Sequence, residues 1–268
     1  MDSSTGWTTR RIVGFDTETT GVDVRTDRIV TAALVIRAGI GGLSQVRTWL
    51  IDPGVEIPEA ASAIHGVTTE HARAHGVQPR EALEEIASLL AASMSADCPV
   101  VAYNACFDLT LLEYELDRHG LPTLTERIGR APSPAIDPLV LDRALDRYRP
   151  GKRRLGDLAS FYGVVASGEL HAADVDVDAT LDVLGALVRR FPELGELTLD
   201  ALHDRQIRAH YRWASSFNDW LTSNGFEREP ADLAWPLGGR YAPPTELLVA
   251  LVERARRAAV ARPVAYGA

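Results

Sequence analysis

Residues Arg11 to Gly21 read RIVGFDTETTG, an apolar run Ile12, Val13, Gly14, Phe15 that delivers two carboxylates, Asp16 and Glu18, two positions apart. Side chains alternate along a strand, so these two share a face, where neighbouring anions need a cation. Their oxygens suit Mg²⁺ or Mn²⁺, hard ions that leave room for phosphate oxygens. Working outward, 28–37 and 45–51 read as further strands, the first of them carrying the β-branched run IVTAALVI. Residues 23–27 read as a turn, and Gly39, Gly41 and Gly42 as a hairpin loop. Three strands with short connections predict an antiparallel meander.

Alternation of helix and strand follows. Leu83, Ile86, Ala87, Leu89 and Leu90 predict a helix over Glu81–Met94, and the apolar run Pro99–Tyr103 reads as a buried strand entering a helix at Asn104–His119, stopped by Gly120 and Pro122. A short strand at Ala135–Asp137 and helices over Leu139–Tyr148, Leu155–Tyr162 and Asp174–Arg190 complete an α/β pattern, a mixed sheet flanked by helices. Beyond Phe191 and Pro192 the pattern becomes purely helical. Leu202, Ile207, Tyr211, Ala214, Phe217 and Leu221 mark one long amphipathic helix over Leu199–Ser223, and a last helix is expected over Thr245–Ala261. The resulting division is a flexible start at 1–9, a main domain at 10–190 and a helical extension at 191–268.

With 268 residues, 46% hydrophobic and 24% charged, the chain has the composition of a soluble globular protein and can bury a real core. No stretch approaches the ~18 apolar residues of a membrane span. The start, MDSSTGWTTRR, lacks an apolar signal core, so a cytoplasmic protein without membrane attachment is expected. Two cysteines, Cys98 and Cys106, are too few for a zinc cage or a disulfide framework. A formal charge of −9 argues against a broadly basic nucleic-acid surface, although carboxylates that bind divalent ions cancel locally. One basic cluster stands out: Arg147, Arg149, Lys152, Arg153 and Arg154. It reads equally as a solvated loop or as a phosphate-contacting one.

Two more acidic positions matter. Asp108 falls in the first turn of the helix after the buried strand, where the helix dipole favours a carboxylate. In HAADVDVDATLDVLGALVRR, His171 to Arg190, a helical projection puts Asp176 within the apolar face, Asp174 at its edge, and Asp178 and Asp182 opposite, as solvated groups. A carboxylate on a buried stripe needs a partner or a metal, which selects Asp176. His171, five residues earlier, has the ordinary pKa of ~6.5 that suits a general base near neutrality.

Taken in order, Asp16 and Glu18 in FDTETTG, Asn104 and Asp108 in NACFD, and His171 with Asp176 resemble the three motifs of the DEDDh family of 3′-to-5′ exonucleases, which includes the proofreading epsilon subunit of bacterial DNA polymerase III, RNase T and oligoribonuclease. AIHGVT at Ala63–Thr68 and the aspartate Asp137 before a helix add to the likeness, which spans residues 10–190. The resemblance implies an RNase H-like mixed five-stranded sheet and a two-metal phosphodiesterase. Asp16 would bridge two Mg²⁺ or Mn²⁺ ions, Glu18 and Asp176 would complete the site of the attacking water, Asp108 would help hold the second ion, and His171 would be the base. It places Thr17, Thr19, Gly21 and Val22 against the terminal nucleotide, His65 and Phe107 in the same pocket, and Asn104 beside it. For Val22 and Phe107, ordinary core packing stands as the alternative.

Tyr103 departs from the family pattern, standing where many relatives have His. The substrate implied is the 3′ end of a single strand, DNA of proofreading or repair type, with RNA trimming as the alternative. A catalytically silent binding module would have no use for four mutually repelling carboxylates, and the His spacing speaks against an RNase H-like endonuclease. Trp213, Phe217 and Trp220 in the extension would either dock a polymerase or repair partner or pack on the nuclease core.

Overall fold

The computed structural model describes residues 6–95, 98–165, 168 and 171–260. Residues 1–5 of the expected flexible start, and Ala261 of the expected last helix, lie outside them. The strands are β1 Arg11–Thr19, β2 Ile29–Ala38, β3 Ser44–Leu50, β4 Val100–Val101 and β5 Ala135–Ile136. The helices are α1 Glu59–His65, α2 Thr69–His75, α3 Pro79–Ser95, α4 Ala105–Arg118, α5 Leu124–Ile128, α6 Pro138–Leu145, α7 Leu155–Tyr162, α8 Ala173–Arg190, α9 Glu193–Glu196, α10 Leu199–Ser223 and α11 Thr245–Val260. The periodicities place the long helices within a few residues. They do not anticipate α1, α2, α5 and α9, which have four to seven residues and so at most two turns over which a period could show.

The five strands form one sheet in the order β3-β2-β1-β4-β5. β1 and β2 pair antiparallel, as do β2 and β3, while β1, β4 and β5 run parallel. This is the expected meander joined to parallel strands. Alternation along the sheet sorts its side chains into two cores. Val13 and Phe15 of β1, with Ala32 and Leu34 of β2, pack against α3 and α4. Ile12, Ala33 and Val35 face the other way, against α7 and α8.

Gly14 sets the distance between β1 and α8. A Cβ built at Gly14 would lie 2.2 Å from Val177 Cγ1 and 3.2 Å from Leu181, so any side chain here pushes the helix off the sheet. The same helix corrects the reading of Asp178 and Asp182. Neither is merely solvated: Arg37 of β2, which is buried, donates to Asp178 at 2.9 Å and to Asp182 at 2.6 Å. A helical projection gives angles only. Here the flank opposite Asp176 lies over β2 and β3, where Arg37 and Ser44 meet it.

Residues from both flanks of the expected main domain enter its cores. Trp7 belongs to a turn of 3₁₀ helix, is buried, and donates from Nε1 to the Leu194 carbonyl at 3.0 Å, so the start is folded from the first described residues onward. The extension packs on the main domain. Leu202 enters the α8 core and Trp235 the α4 core. β5 is the last strand, and its open edge is closed by side chains of α10. Gln206, fully buried, donates from Nε2 to the Ala135 carbonyl at 3.1 Å and accepts from Asp137 N at 2.7 Å, while His203 Nδ1 accepts from Ala135 N at 3.2 Å. One amide side chain thus satisfies the acceptor and donor that a sixth strand would take.

Candidate active site

β1 carries Asp16 and Glu18 to its C-terminal end on the α8 face, and its pairing with β2 becomes irregular just past them, between Glu18 and Thr19. Across the ladder stand the small residues Ala33 and Thr31, which leave space above the carboxylates. The close approach at Gly14 then brings the first turn of α8 over the strand end. Asp16, Glu18 and Asp176 each present an oxygen, all within 4.8 Å of one another. Asp176 sits where a helix N-terminus favours an anion, and its Oδ1 accepts from His171 N at 3.1 Å, closing the turn that leads into the helix.

Asp108 comes from the opposite face of the sheet. It lies one turn into α4 and is buried, and its Oδ1 accepts from Thr17 N at 3.1 Å and from Thr17 Oγ1 at 2.7 Å. It therefore does not join the other three within the same radius, yet its charge bears on Asp16. Thr17, expected against a nucleotide, has its amide and hydroxyl both on Asp108.

The electrostatics follow from this crowding. Asp16 is held well above the usual carboxylate range by burial, then by Asp108, Glu18 and Asp176. Burial, Asp176 and Asp108 push Glu18 up to about 7. Burial pushes Asp108 up to about 7 against the hydrogen bonds from Thr17, and raises Asp176 against the His171 amide. Among the described residues no lysine or arginine forms an ion pair with any of the four. A set of hard oxygen donors that crowd one another without a cation fits a divalent ion such as Mg²⁺ or Mn²⁺.

His171 is exposed and takes a left-handed backbone, φ 83°, uncommon for a residue with a Cβ. The other expected residues are placed as follows. Thr19 Oγ1 donates to the Gly21 carbonyl at 2.6 Å, and Gly21 lies so close to Asp27 that a Cβ would be 2.5 Å from its Oδ2. Val22 is 89% exposed, which removes core packing as its role. Phe107 is partly buried and packs on the α4 core. His65 ends α1; its Nδ1 accepts from Val67 N at 3.2 Å, and its Nε2 is buried without a hydrogen-bond partner among the described residues. Burial lowers the His65 imidazole, opposed by the Thr19 backbone beside it. Asn104 is exposed, with a left-handed φ of 60°, at the head of α4.

A model of the exonuclease family, RNase T type, matches residues 13–184. This chain belongs to the exonuclease family. Its carboxylate-bearing sheet is thus that of a DEDD-type exonuclease of the RNase H-like superfamily. PolC-type DNA polymerase III of Streptococcus thermophilus is 31% identical over 199 residues, 73% of this chain and 12% of the polymerase. The chain therefore spans about an eighth of the length of that relative. Escherichia coli Exonuclease I in complex with a dA16 oligonucleotide aligns with a TM-score of 0.59 at 21% identity, covering 75% of this chain and 44% of that one. The zinc-bound form of the same enzyme with single-stranded DNA gives 0.59 at 20%, covering 80% and 45%. These likenesses show the fold. No described helix is long and apolar enough to cross a membrane.

Two arrangements in this chain escaped the sequence. Two members of the basic cluster around Pro150 are not free for phosphate: Arg149 and Arg153 turn inward onto Asp142, which is fully buried and also accepts from Tyr162 Oη at 2.7 Å. Tyr103, the departure from the family pattern, donates its hydroxyl to the Arg153 carbonyl at 2.6 Å and so ties this loop beside Asn104. The other is Asp137, whose carboxylate accepts from the amides of Asn104, Ala105 and Leu139 and from Trp235 Nε1, fixing the head of α4. Gly14 was the available signal for the first close approach, a lone glycine within a β-branched strand. Nothing local marked Asp142 or Gln206.

Proposed function

We propose that the protein is a 3′-to-5′ exonuclease that hydrolyses phosphodiester bonds of single-stranded DNA and releases nucleoside 5′-monophosphates, using two Mg²⁺ or Mn²⁺ ions. The observation that carries this reading is the convergence of Asp16, Glu18 and Asp176 without a cation partner at the strand end. The oligonucleotide and zinc named with the Exonuclease I structures support a single strand and a divalent ion.

Asp16, Glu18 and Asp176 would hold the ions, with Asp108 completing the set from the other face. When bound, a pair of divalent ions stabilises the attacking and leaving oxygens of an in-line displacement. The protein does the rest. Thr17 fixes Asp108 by two hydrogen bonds to Oδ1, so its carboxylate is not free to rotate. His171, exposed at the head of α8 and held by its own amide to Asp176, accepts the proton of the attacking water. The exposed Val22 and Asn104 and the half-buried Phe107 and His65 form the walls against which the terminal nucleotide rests, with Thr19 and Gly21 shaping the turn between them. DNA polymerase III, in which a homologous segment occurs, is the kind of assembly in which such a domain would act, in proofreading or repair.

The test is release of mononucleotides from a 5′-labelled single strand with Mg²⁺, compared with Asp16→Ala and His171→Ala. Stepwise shortening from the 3′ end that both variants abolish or slow by about 10²-fold or more supports the reading. Wild-type protein that leaves both DNA and RNA ends intact with Mg²⁺ and with Mn²⁺ overturns it.

A further inference from the structure

Between α6 and α10 lies a cavity of about 180 Å³ lined by Arg143, Ala144, Arg147, Ala209, Arg212 and Trp213. None of the four site carboxylates lines it. Three of its six walls are arginines, on a chain whose formal charge is −9. Among the described residues none of the three has a carboxylate oxygen within 4.0 Å, whereas Arg37, Arg149 and Arg153 each do.

The surroundings of Arg212 add to the excess. Burial lowers its guanidinium, and Arg208, Arg205 and Arg256 lower it further, so its charged neighbours are cations. Arg143 sits over Trp213, its Cζ 3.6 Å from the ring centroid, with Asp137 offsetting part of its burial. A guanidinium held by a ring keeps its N–H edge in one orientation, and that fork matches two oxygens of a phosphate. Asp137 and Asp142 act on Arg143 from beyond pairing distance, and the repulsion left among the converging cations is relieved by an arriving phosphate.

Trp213 also begins an aromatic ridge along α10. Trp213 and Phe217 stack at 5.5 Å, Phe217 and Trp220 at 6.0 Å, and Trp220 and Phe226 at 4.9 Å, all within 28° of parallel. The far end is open: Trp220 is 50% and Phe226 54% exposed. Arginines along a ridge of stacked rings are the elements with which proteins hold single strands, phosphates on the cations and bases on the π-faces. A protein partner would not need three unpaired guanidiniums in one cavity. The position suits the same strand that feeds the site. α6 starts at Asp137, whose carboxylate holds the head of α4, and Arg143 lies six residues, about 9 Å, along that helix.

We propose that the α6–α10 cavity is a second nucleic-acid subsite, in which Arg143, Arg147 and Arg212 hold a phosphodiester of the strand upstream of its 3′ end and Trp220 and Phe226 take a base. It rests on the exonuclease reading above. The test is fluorescence anisotropy of a 5′-labelled oligo(dT) of about 20 nucleotides in EDTA, over a salt series, with parallel hydrolysis of a dinucleotide too short to reach the cavity.

Arg147→Gln/Arg212→Gln weakens oligo(dT) binding about tenfold and makes its salt dependence shallower by about 1.4 in log–log slope, while the dinucleotide is hydrolysed at the wild-type rate. Trp220→Ala weakens binding by about fivefold or more. Arg10→Gln/Arg189→Gln changes net charge equally, at exposed positions outside the cavity, and serves as the control. Affinity and salt slope equal to that control overturn the subsite. So does a loss of dinucleotide hydrolysis in step with binding. Failure of the exonuclease reading looks different: the wild type then hydrolyses neither substrate with Mg²⁺ or Mn²⁺, whatever its affinity for oligo(dT).

Discussion

Two sets of carboxylates in this molecule, one buried and one partly buried, have opposite surroundings. Asp137 and Asp142 are saturated: the first receives three backbone amides and an indole N–H, the second two guanidiniums and a tyrosine hydroxyl. Asp16, Glu18 and Asp176 receive no cation among the described residues and face one another instead. Both sets are withdrawn from water, the first fully and the second in part. What separates them is whether the fold itself supplies the counter-charge, and a site that leaves it out has to take one from solution. Structural carboxylates are therefore those whose removal damages the fold, and functional ones those whose removal relieves it.

The largest effects test that contrast directly. Asp16→Asn should lower nuclease activity by about 10³-fold or more, because it removes a ligand central to the cluster, while the metal-free melting temperature stays level or rises as repulsion falls. A drop of several degrees in that temperature would make Asp16 structural and erase the distinction. Asp142→Ala should do the reverse. Leaving Arg149 buried and unpaired should cost about 3–5 kcal/mol in denaturant unfolding, with hydrolysis retained at temperatures where the variant is folded.

A smaller effect is expected at the sheet edge. Gln206→Ala leaves Asp137 N and the Ala135 carbonyl without partners, at a cost of about 1–3 kcal/mol. An unchanged unfolding midpoint would show that α10 does not hold β5. The smallest effect is thermodynamic. Glu18 and Asp108 titrate near 7 in the folded chain, against ~4.3 and ~3.9 unfolded. The folded chain binds the extra protons, so the stability they bring is present below the unfolded values and is lost as pH rises through about 7. The rise in melting temperature on adding Mg²⁺ should therefore be small near pH 5 and largest near pH 8. A gap that does not change across that range would mean the cluster is not where the ion binds.

Much of this was legible in one strand and three helices. The period-2 spacing of Asp16 and Glu18 put them on one face, and the 3.6-residue period of α8 chose Asp176 over its neighbours; the structure brings these three together. The same projection misjudged Asp178 and Asp182, because an angle around a helix does not say what packs against it. Arg149 and Arg153 looked like surface charge for a similar reason: their partner Asp142 is seven and eleven residues away, in a helix with an unremarkable pattern. How the extension packs was not legible, because periodicity reports that a helix has an apolar face, and not which sheet edge covers it.

The sequence alone determined the chemistry of the donors, their order, and the alternation that turns Asp16 and Glu18 the same way. These are local properties, written in residue type and in the period of the backbone. Only the tertiary structure decided which carboxylates are compensated, because compensation comes from groups distant in the chain: Thr17 against Asp108, Arg37 between Asp178 and Asp182, and Gln206 on the open edge of β5. Electrostatic energy depends on distance through space and on exclusion of water, and neither exists until the helices have packed on the sheet.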